Sequence, residues 1–459
     1  MSDPFHAYDI RGVYPATIND EIAYKIGKAI VEKFKIKKII IGRDHRISSP
    51  SLFKNLAKGL TEMGCDVTDI GSTATPILYH YTVTEEFPLG IMITASHNPK
   101  EYNGFKICTK EGQLITYENG GSEIEEIVRK DIFSISEKKG NVASRDVLQD
   151  YVRYVNSRFA RLSKKYKIVV DTGNGVGGPI VREIISEHDR KQEDVELTEM
   201  FFELDGDYPN HEANPLLSKN TKDISEKIRS EKADFGFAFD GDCDRCILFD
   251  ENGDAVNSDF ALCLIAEEEL KKHKGATFYY DLRFSKITKE HIEELGGKAV
   301  MLKVGNPVYK EKMYFEEGGI AAAELSGHVF YKENYSLDDG FYHMIKMIGF
   351  IDDILSDKDD GTKEMRKVSQ IFEKFHKYYQ SEEINNKVRN ADDVISEVKK
   401  RYHDAKQLEL DGVTVEYDSF WFNLRKSNTE PLVRLRLEAD TKELLDEKTE
   451  EVVSFIKRF

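Results

Sequence analysis

Leu89-Gly-Ile-Met-Ile-Thr-Ala-Ser-His-Asn-Pro99 is the stretch that decides how this chain is read. The apolar run Leu89 to Ile93 reads as a short buried strand, and it stops at a small polar cluster, Thr94 to Asn98, closed by Pro99. A strand ending this abruptly delivers Ser96 to a sheet edge, where α/β folds place their chemistry. Serine is a poor nucleophile until a neighbour activates it or it carries a phosphate. Alone, the loop reads equally well as a Ser/Asn turn with a satisfied histidine.

On either side of it the chain alternates strands and helices. Lys37 to Gly42 and Cys65 to Ile70 read as strands around an amphipathic helix, Ser51 to Met63. Lys167 to Asp171, Val195 to Phe202, Asp234 to Phe239, Thr277 to Asp281 and Ala299 to Lys303 continue the pattern, which is that of βαβ units. No internal sequence repeat is detectable. The charged stretch Ser356 to Lys363 is a linker candidate. After it the order becomes helix (Glu364 to Tyr379), strand, helix (Ala391 to Arg401), three strands and a helix from Thr441, an α+β ending.

Three further motifs carry chemistry. Asp240-Gly-Asp-Cys-Asp-Arg245 places carboxylates at alternate positions, which suits a hard, oxygen-liganded cation. An EF-hand loop is disfavoured because Arg245 stands where its glycine belongs and the flanks read as strands. A divalent ion near phosphate, Mg²⁺, is the better expectation; a solvated acidic turn is the bland one. Glu324-Leu-Ser-Gly-His328 offers a carboxylate, a hydroxyl and an imidazole. In an extended segment Glu324 and Ser326 point the same way and can grip sugar hydroxyls. Arg425-Lys-Ser-Asn-Thr429, followed by Glu430-Pro431, is a candidate phosphate cradle, or an ordinary polar hairpin between two strands.

Together and in this order, the four loops resemble those of the α-D-phosphohexomutase superfamily, and the resemblance runs from Tyr8 to Ala439. Tyr8-Asp-Ile-Arg-Gly12, Gly42-Arg-Asp44, Tyr102-Asn-Gly-Phe-Lys106, Asp171-Thr-Gly-Asn-Gly175 and Asp338-Asp-Gly340 agree with it. Length alone suggests about three domains. The resemblance implies four around a central cleft: three α/β domains of similar topology (1–145, 146–250 and 251–360) and an α+β domain (361–459).

The resemblance further implies an intramolecular phosphotransferase that interconverts hexose 1- and 6-phosphates through phosphoserine at Ser96 and a hexose 1,6-bisphosphate, the latter also the activator. Asp240, Asp242, Asp244 and the Ser96 phosphate would hold Mg²⁺. Lys106, with Arg11 and His328, is the acid/base candidate, a role for which lysine needs a lowered pKa. His97 is expected to orient the loop or touch phosphate. Tyr8, Arg245, Arg283, Lys303, Gly305, Asn306, Glu324, Ser326, Arg425, Ser427, Asn428, Thr429 and Arg434 complete the expected substrate contacts.

Three positions depart from the family pattern. Ala323 replaces a frequent glycine before Glu324, Asn306 a frequent histidine, and Arg283 a frequent lysine. Asparagine can hydrogen-bond but cannot shuttle a proton near neutral pH. The sugar loop, with Leu325 rather than glutamine, resembles the phosphomannomutase/phosphoglucomutase branch more than the phosphoglucosamine mutase branch. That points to mannose and glucose phosphates. A non-catalytic sugar-phosphate binding protein on the same fold is the rival from another class.

A net charge of −17 argues against nucleic acid and anionic membranes as partners. Cations must then gather locally for phosphate, and Arg11, Arg43, Lys106, Arg245, Arg283, Lys303 and Arg425 are expected around one cleft. No run reaches the ~18 apolar residues of a membrane span, and no signal peptide is expected before the motif-bearing start. Five cysteines, an odd and small number, suit a reduced cytoplasmic setting. Cys243 and Cys246 have zinc-pair spacing but no second pair. A monomer or homodimer is expected.

Overall fold

The computed structural model describes residues 4–316, 318–356, 367–427 and 432–459. In the first sheet, Lys38–Arg43 lies at the centre with Asp66–Ser72 and Leu89–Ile93 parallel on its two sides. Tyr102–Thr109 then returns antiparallel to Leu89–Ile93. Ile10–Val13 and Val142–Ser144 extend the two edges. All five residues of Leu89–Ile93 are buried, as a strand covered on both faces requires.

The same four-strand module occurs twice more. Tyr166–Asp171 is flanked by parallel Val195–Met200 and Phe235–Phe239, and Cys246–Phe249 returns antiparallel. Thr277–Asp281 is flanked by parallel Lys298–Leu302 and Gly319–Ala323, and Val329–Tyr331 returns antiparallel. Each module thus runs fourth, third, first, second strand across the sheet. The repeat is invisible in sequence because buried strand positions ask only for apolar residues of suitable volume. Its consequence is functional. The hairpins joining the third and fourth strands carry Ser96, Asp240 to Arg245, and Glu324 to His328, so three unlike motifs occupy one equivalent position.

The last unit is an antiparallel sheet of Tyr379–Gln380, Ile384–Lys387, Lys406–Leu408, Val413–Glu416, Phe420–Lys426 and Leu432–Ala439, with helices Ala391–Arg401 and Lys442–Ile456. It has its own core around Val413, Phe422, Leu435 and Val452. In contrast, one apolar core runs continuously through the three α/β units, from Ile40 to Phe375.

Most expected elements fall within a residue or two of the observed ones, and the expected helix Ala391 to Arg401 coincides with its element. The expected helix Glu364 to Tyr379 does not form as one element. Among the described residues only Val368–Glu373 is helical, and Tyr379–Gln380 pairs with Glu438 and Ala439 instead. Most of the linker candidate lies outside the described residues. All five cysteines are free and buried. No described helix is long and apolar enough to cross a membrane.

Candidate active site

The three hairpins meet at a cavity of about 760 Å³ lined by Tyr8, Arg11, Ser96, His97, Lys106, Asp244, Arg245, Gly305, Asn306, Glu324, Ser326 and His328, among others. Ser96 sits in the left-handed region at φ +51°, a conformation unfavourable for any residue with a Cβ. Its N–H donates to Thr94 Oγ1 at 2.8 Å, and its hydroxyl donates to Asp240 Oδ2 at 2.8 Å. His97 Nδ1 lies 3.2 Å from the same hydroxyl. Burial, with Arg245 and Arg11 nearby, holds the His97 imidazole well below its ordinary pKa. It is therefore neutral, as a loop-orienting residue can be.

The loop keeps this shape because of a residue that sequence reading missed. The Arg46 side chain has no solvent exposure and pairs with Asp44 at 3.0 Å. Its guanidinium donates to the carbonyls of Ser96 (2.8 Å), Asn98 (2.7 Å), Pro99 (2.6 Å) and Tyr102 (3.1 Å). Arg11 adds a bond to Ala95 O at 3.2 Å. The quoted motif Gly42-Arg-Asp44 ended two residues short of the arginine that matters. The usable signal was its place just past a central strand, at the same sheet end as Ser96.

Asp240, Asp242 and Asp244 are all buried, with ligand oxygens within 4.8 Å of one another. Burial and the two neighbouring carboxylates push Asp240 well above the ordinary carboxylate range. Asp242 Oδ1 is buried without a hydrogen-bond partner. Crowded, under-satisfied oxygens of this kind fit a divalent cation. The strands flanking the loop confirm that it is no EF-hand.

Lys106 contacts Asp242 Nζ-to-oxygen at 2.7 Å and also pairs with Asp244. Burial alone would lower the ammonium's pKa, but Asp242, Asp244 and Asp240 outweigh it and hold it above its usual value. The lowered pKa expected of a basic lysine is absent here; its proton is held. His328 Nε2 lies 3.3 Å from Asp244 Oδ1, and Nδ1 lies 3.0 Å from Glu324 Oε2. Burial opposes protonation, but Asp244 overcomes it and lifts the imidazolium to about 9. Arg245 Nε approaches the same ring nitrogen at 3.3 Å. Two donors cannot share that contact, and the charge of Asp244 favours the imidazolium.

Glu324 to His328 is a tight turn, not the extended segment expected: Gly327 N–H donates to Glu324 O at 3.0 Å, with Gly327 at φ +90°. Glu324 and Ser326 nevertheless share the cavity wall. Glu324 Oε1 accepts the Gly305 N–H at 2.9 Å. Ala323 is the last residue of a strand and needs no positive φ, so its methyl is tolerated. Asn306 opens helix Asn306–Phe315 and its amide donates to Asp338. Tyr8 reaches across the cleft, donating to Val304 O at 3.2 Å.

The expected ring of cations is only partly gathered. Arg11, Lys106 and Arg245 line the cavity. Arg43 does not: it pairs with Asp69 at 2.7 Å and stacks over Phe53. The Lys303 side chain is exposed beside the lining segment Val304 to Pro307. Arg283, Arg425 and Arg434 instead converge on Glu383, a second residue the sequence did not flag. Ser427 is described as the residue after strand Phe420–Lys426, whereas Asn428 and Thr429 lie outside the described residues.

A serine hydroxyl bonded to one of three clustered buried carboxylates, where the equivalent hairpins of three α/β modules meet, defines a multidomain phosphoryl-transfer protein. More particularly, the chain belongs to the phosphoglucomutase/phosphomannomutase family: models of that family's alpha/beta/alpha domains I, II and III match residues 3–134, 149–253 and 257–378, and its C-terminal domain matches residues 383–454. A phosphomannomutase of Methanocaldococcus jannaschii is 37% identical, covering 99% of this chain and 97% of that protein. A phosphomannomutase/phosphoglucomutase of Pseudomonas aeruginosa is 36% identical over 96% of this chain and 93% of its own. The crystal structure of a family protein from Burkholderia thailandensis superposes with a TM-score of 0.88 at 30% identity, covering 99% and 97% of the two chains.

Proposed function

We propose that this enzyme interconverts the 1- and 6-phosphates of mannose and glucose, using Ser96 as the phosphoryl carrier. The observation that carries the reading is Ser96 Oγ at 2.8 Å from Asp240 Oδ2, inside a cavity that also presents Lys106, Arg11 and Arg245. A binding protein has no use for a nucleophile held at positive φ against a carboxylate.

Asp240, Asp242 and Asp244, with a phosphate oxygen on Ser96, would hold Mg²⁺, which neutralises charge on the phosphoryl group. Phosphoryl transfer asks the protein chiefly for alignment and electrostatics. With phosphate on Ser96, a sugar hydroxyl attacks phosphorus, a new O–P bond forms and the Oγ–P bond breaks. The hydroxyl's proton replaces one that Lys106 or His328 donates to the departing Ser96 oxygen. In the metal-free arrangement the neighbouring aspartates keep both groups protonated; a cation on those aspartates would weaken that hold and make the protons easier to give up. The product is a hexose 1,6-bisphosphate, which would also prime an unphosphorylated enzyme. After it turns in the cleft, the Ser96 hydroxyl takes the other phosphate and the proton moves back.

Glu324 and Ser326 would hold sugar hydroxyls in both orientations, with Tyr8, Gly305, Asn306 and His97 lining the same space. The Arg425 strand end, with Ser427, Asn428 and Thr429, would receive the phosphate that is not reacting. A loop that grips two ring hydroxyls leaves C2 unread, consistent with relatives named for mannose, glucose or both.

The test is conversion of mannose 1-phosphate and glucose 1-phosphate to the 6-phosphates with Mg²⁺ and a trace of glucose 1,6-bisphosphate, beside Ser96→Ala. Turnover on both sugars, abolished in the variant, is expected. Strong preference for glucosamine 6-phosphate would move the reading to the phosphoglucosamine branch. Ligand binding with no turnover on any of the three would support the binding protein.

A further inference from the structure

Glu383 stands immediately before strand Ile384–Lys387 and receives three guanidinium groups. Arg425 Nη2 donates to Oε2 at 2.8 Å, Arg434 Nη1 to Oε1 at 3.0 Å, and Arg283 Nη1 reaches Oε2 at 3.4 Å. Arg425 and Arg434 face each other on adjacent strands of the last sheet, whereas Arg283 comes from the third α/β unit. Arg283 has its own partner, Asp281, which also accepts the N–H of Leu325 in the sugar loop at 3.1 Å. Burial would raise the Glu383 carboxyl, but Arg425 and Arg283 outweigh it and keep the group ionised.

This cluster is built for an anion larger than a carboxylate. Arg425 Nε and Arg434 Nε are both buried without a hydrogen-bond partner, and the Arg425 side chain is only 7% exposed. A carboxylate accepts one bond from each arginine and leaves those donors unused. A phosphate, with more acceptor oxygens and greater charge, can take more of them. Glu383 itself is 22% exposed, so it lies near the surface of the cluster and need not be displaced through the core.

We propose that Glu383 is an internal counter-ion that competes with the substrate's non-reacting phosphate for Arg425 and Arg434, and so weakens the cradle's grip. This rests on the reading that the Arg425 strand end receives phosphate. A bisphosphate that must turn end for end has to leave the cradle once per cycle. Without a counter-ion, buried Arg425 and half-buried Arg434 would hold it, and the carboxylate returns as the phosphate departs.

The probe is inorganic phosphate, measured by calorimetry on the full chain, with the loss in Arg425→Met marking the share bound at the cradle. Glu383→Gln keeps the shape and removes the competing charge. It is expected to tighten that share about tenfold, lower KM for the sugar phosphate and lower kcat as release slows. A merely structural glutamate would give the opposite: weaker phosphate binding and a higher KM. Unchanged or weaker binding in a folded Glu383→Gln protein overturns the proposal. Should that variant unfold, Glu383→Asp retains the charge but is too short to span both arginines. Tightening is again expected, and its absence overturns the idea equally. If Arg425→Met binds phosphate as the parent does, the cradle reading falls first and takes this proposal with it.

Discussion

Replacing Arg46 by methionine tests how the nucleophile is held. The side chain has no solvent exposure, pairs with Asp44, and donates to four loop carbonyls between Ser96 and Tyr102. Bonds to a charged donor contribute about 1.5–3 kcal/mol each in mutational series, so the four sum nominally to about 6–12 kcal/mol. That sum overshoots, because a freed loop turns some carbonyls to water. Breaking one buried ion pair costs about 3–5 kcal/mol, and this is the better bound for the whole change. The left-handed conformation of Ser96 costs about 1–3 kcal/mol, which the clamp now supplies. Without it, Ser96 relaxes and its hydroxyl leaves Asp240. Misplacement by about 1 Å can cost 10²-fold in rate. Arg46→Met is therefore expected to lose about 3–5 kcal/mol in urea unfolding and at least about 100-fold in kcat, with KM changed far less. Arg46→Lys should recover much of the stability through Asp44 but little of kcat, because one ammonium cannot reach four carbonyls. A stable Arg46→Met enzyme with kcat within a few-fold of the parent would refute the clamp.

His328 predicts a pH dependence. Its folded-state pKa, about 9, lies above the ordinary histidine value, so its contribution to stability is full below about 6.5 and is lost as pH rises through about 9. Metal-free unfolding measured across that window should show the loss, and His328→Gln should flatten it; a flat parent profile would defeat the assignment. Gly305→Ala is expected to raise KM for sugar phosphates several-fold with the fold intact. Gly305 sits at φ +136°, and an added Cβ would lie 2.8 Å from the Tyr8 hydroxyl, pushing that ring from its place across the cleft. Unchanged KM would show that Tyr8 does not help close the substrate space.

What the sequence made legible is what short range dictates. Leu89 to Ile93 could be read as a buried strand because an apolar run of that length followed by turn residues has few other uses. Asp240, Asp242 and Asp244 declared themselves because three carboxylates in five residues are costly without a cation. The four-domain plan came from the resemblance, since periodicity gives no strand order. Arg46 and Glu383 were missed for a common reason. Each acts through partners that are distant in sequence or on another unit, which neither His45-Arg46-Ile47 nor Glu382-Glu383-Ile384 reveals; only the place of Arg46 just past a central strand pointed to its role. Arg43 was chosen over Arg46 on motif membership, yet strand alternation turns it toward Asp69 and Phe53 on the first unit.

The repeated module explains why such different loops can cooperate. In each copy the hairpin between the third and fourth strands leaves the sheet at the C-terminal end of a parallel strand buried between neighbours, where the backbone is rigid and the loop is free to vary. Three copies turned toward one cleft bring together Ser96, the three aspartates and the turn from Glu324 to His328, which in the proposed mechanism serve as nucleophile, cation site and sugar grip. Contacts between copies then set the alignment: Thr75 N–H of the first unit donates to Asp242 O of the second at 3.0 Å, and His328 of the third meets Asp244. The described strands of the last unit form an antiparallel sheet in place of this module and have a separate core. Its described links to Arg283 and Lys286 are largely polar, including Arg436 Nε to Arg283 O at 3.0 Å and Lys286 N–H to Glu438 at 3.0 Å. Polar contacts can exchange partners without exposing apolar surface. If Arg425 receives phosphate as proposed, its unit is the one whose grip Glu383 could tune without disturbing the alignment of Ser96 and the three aspartates.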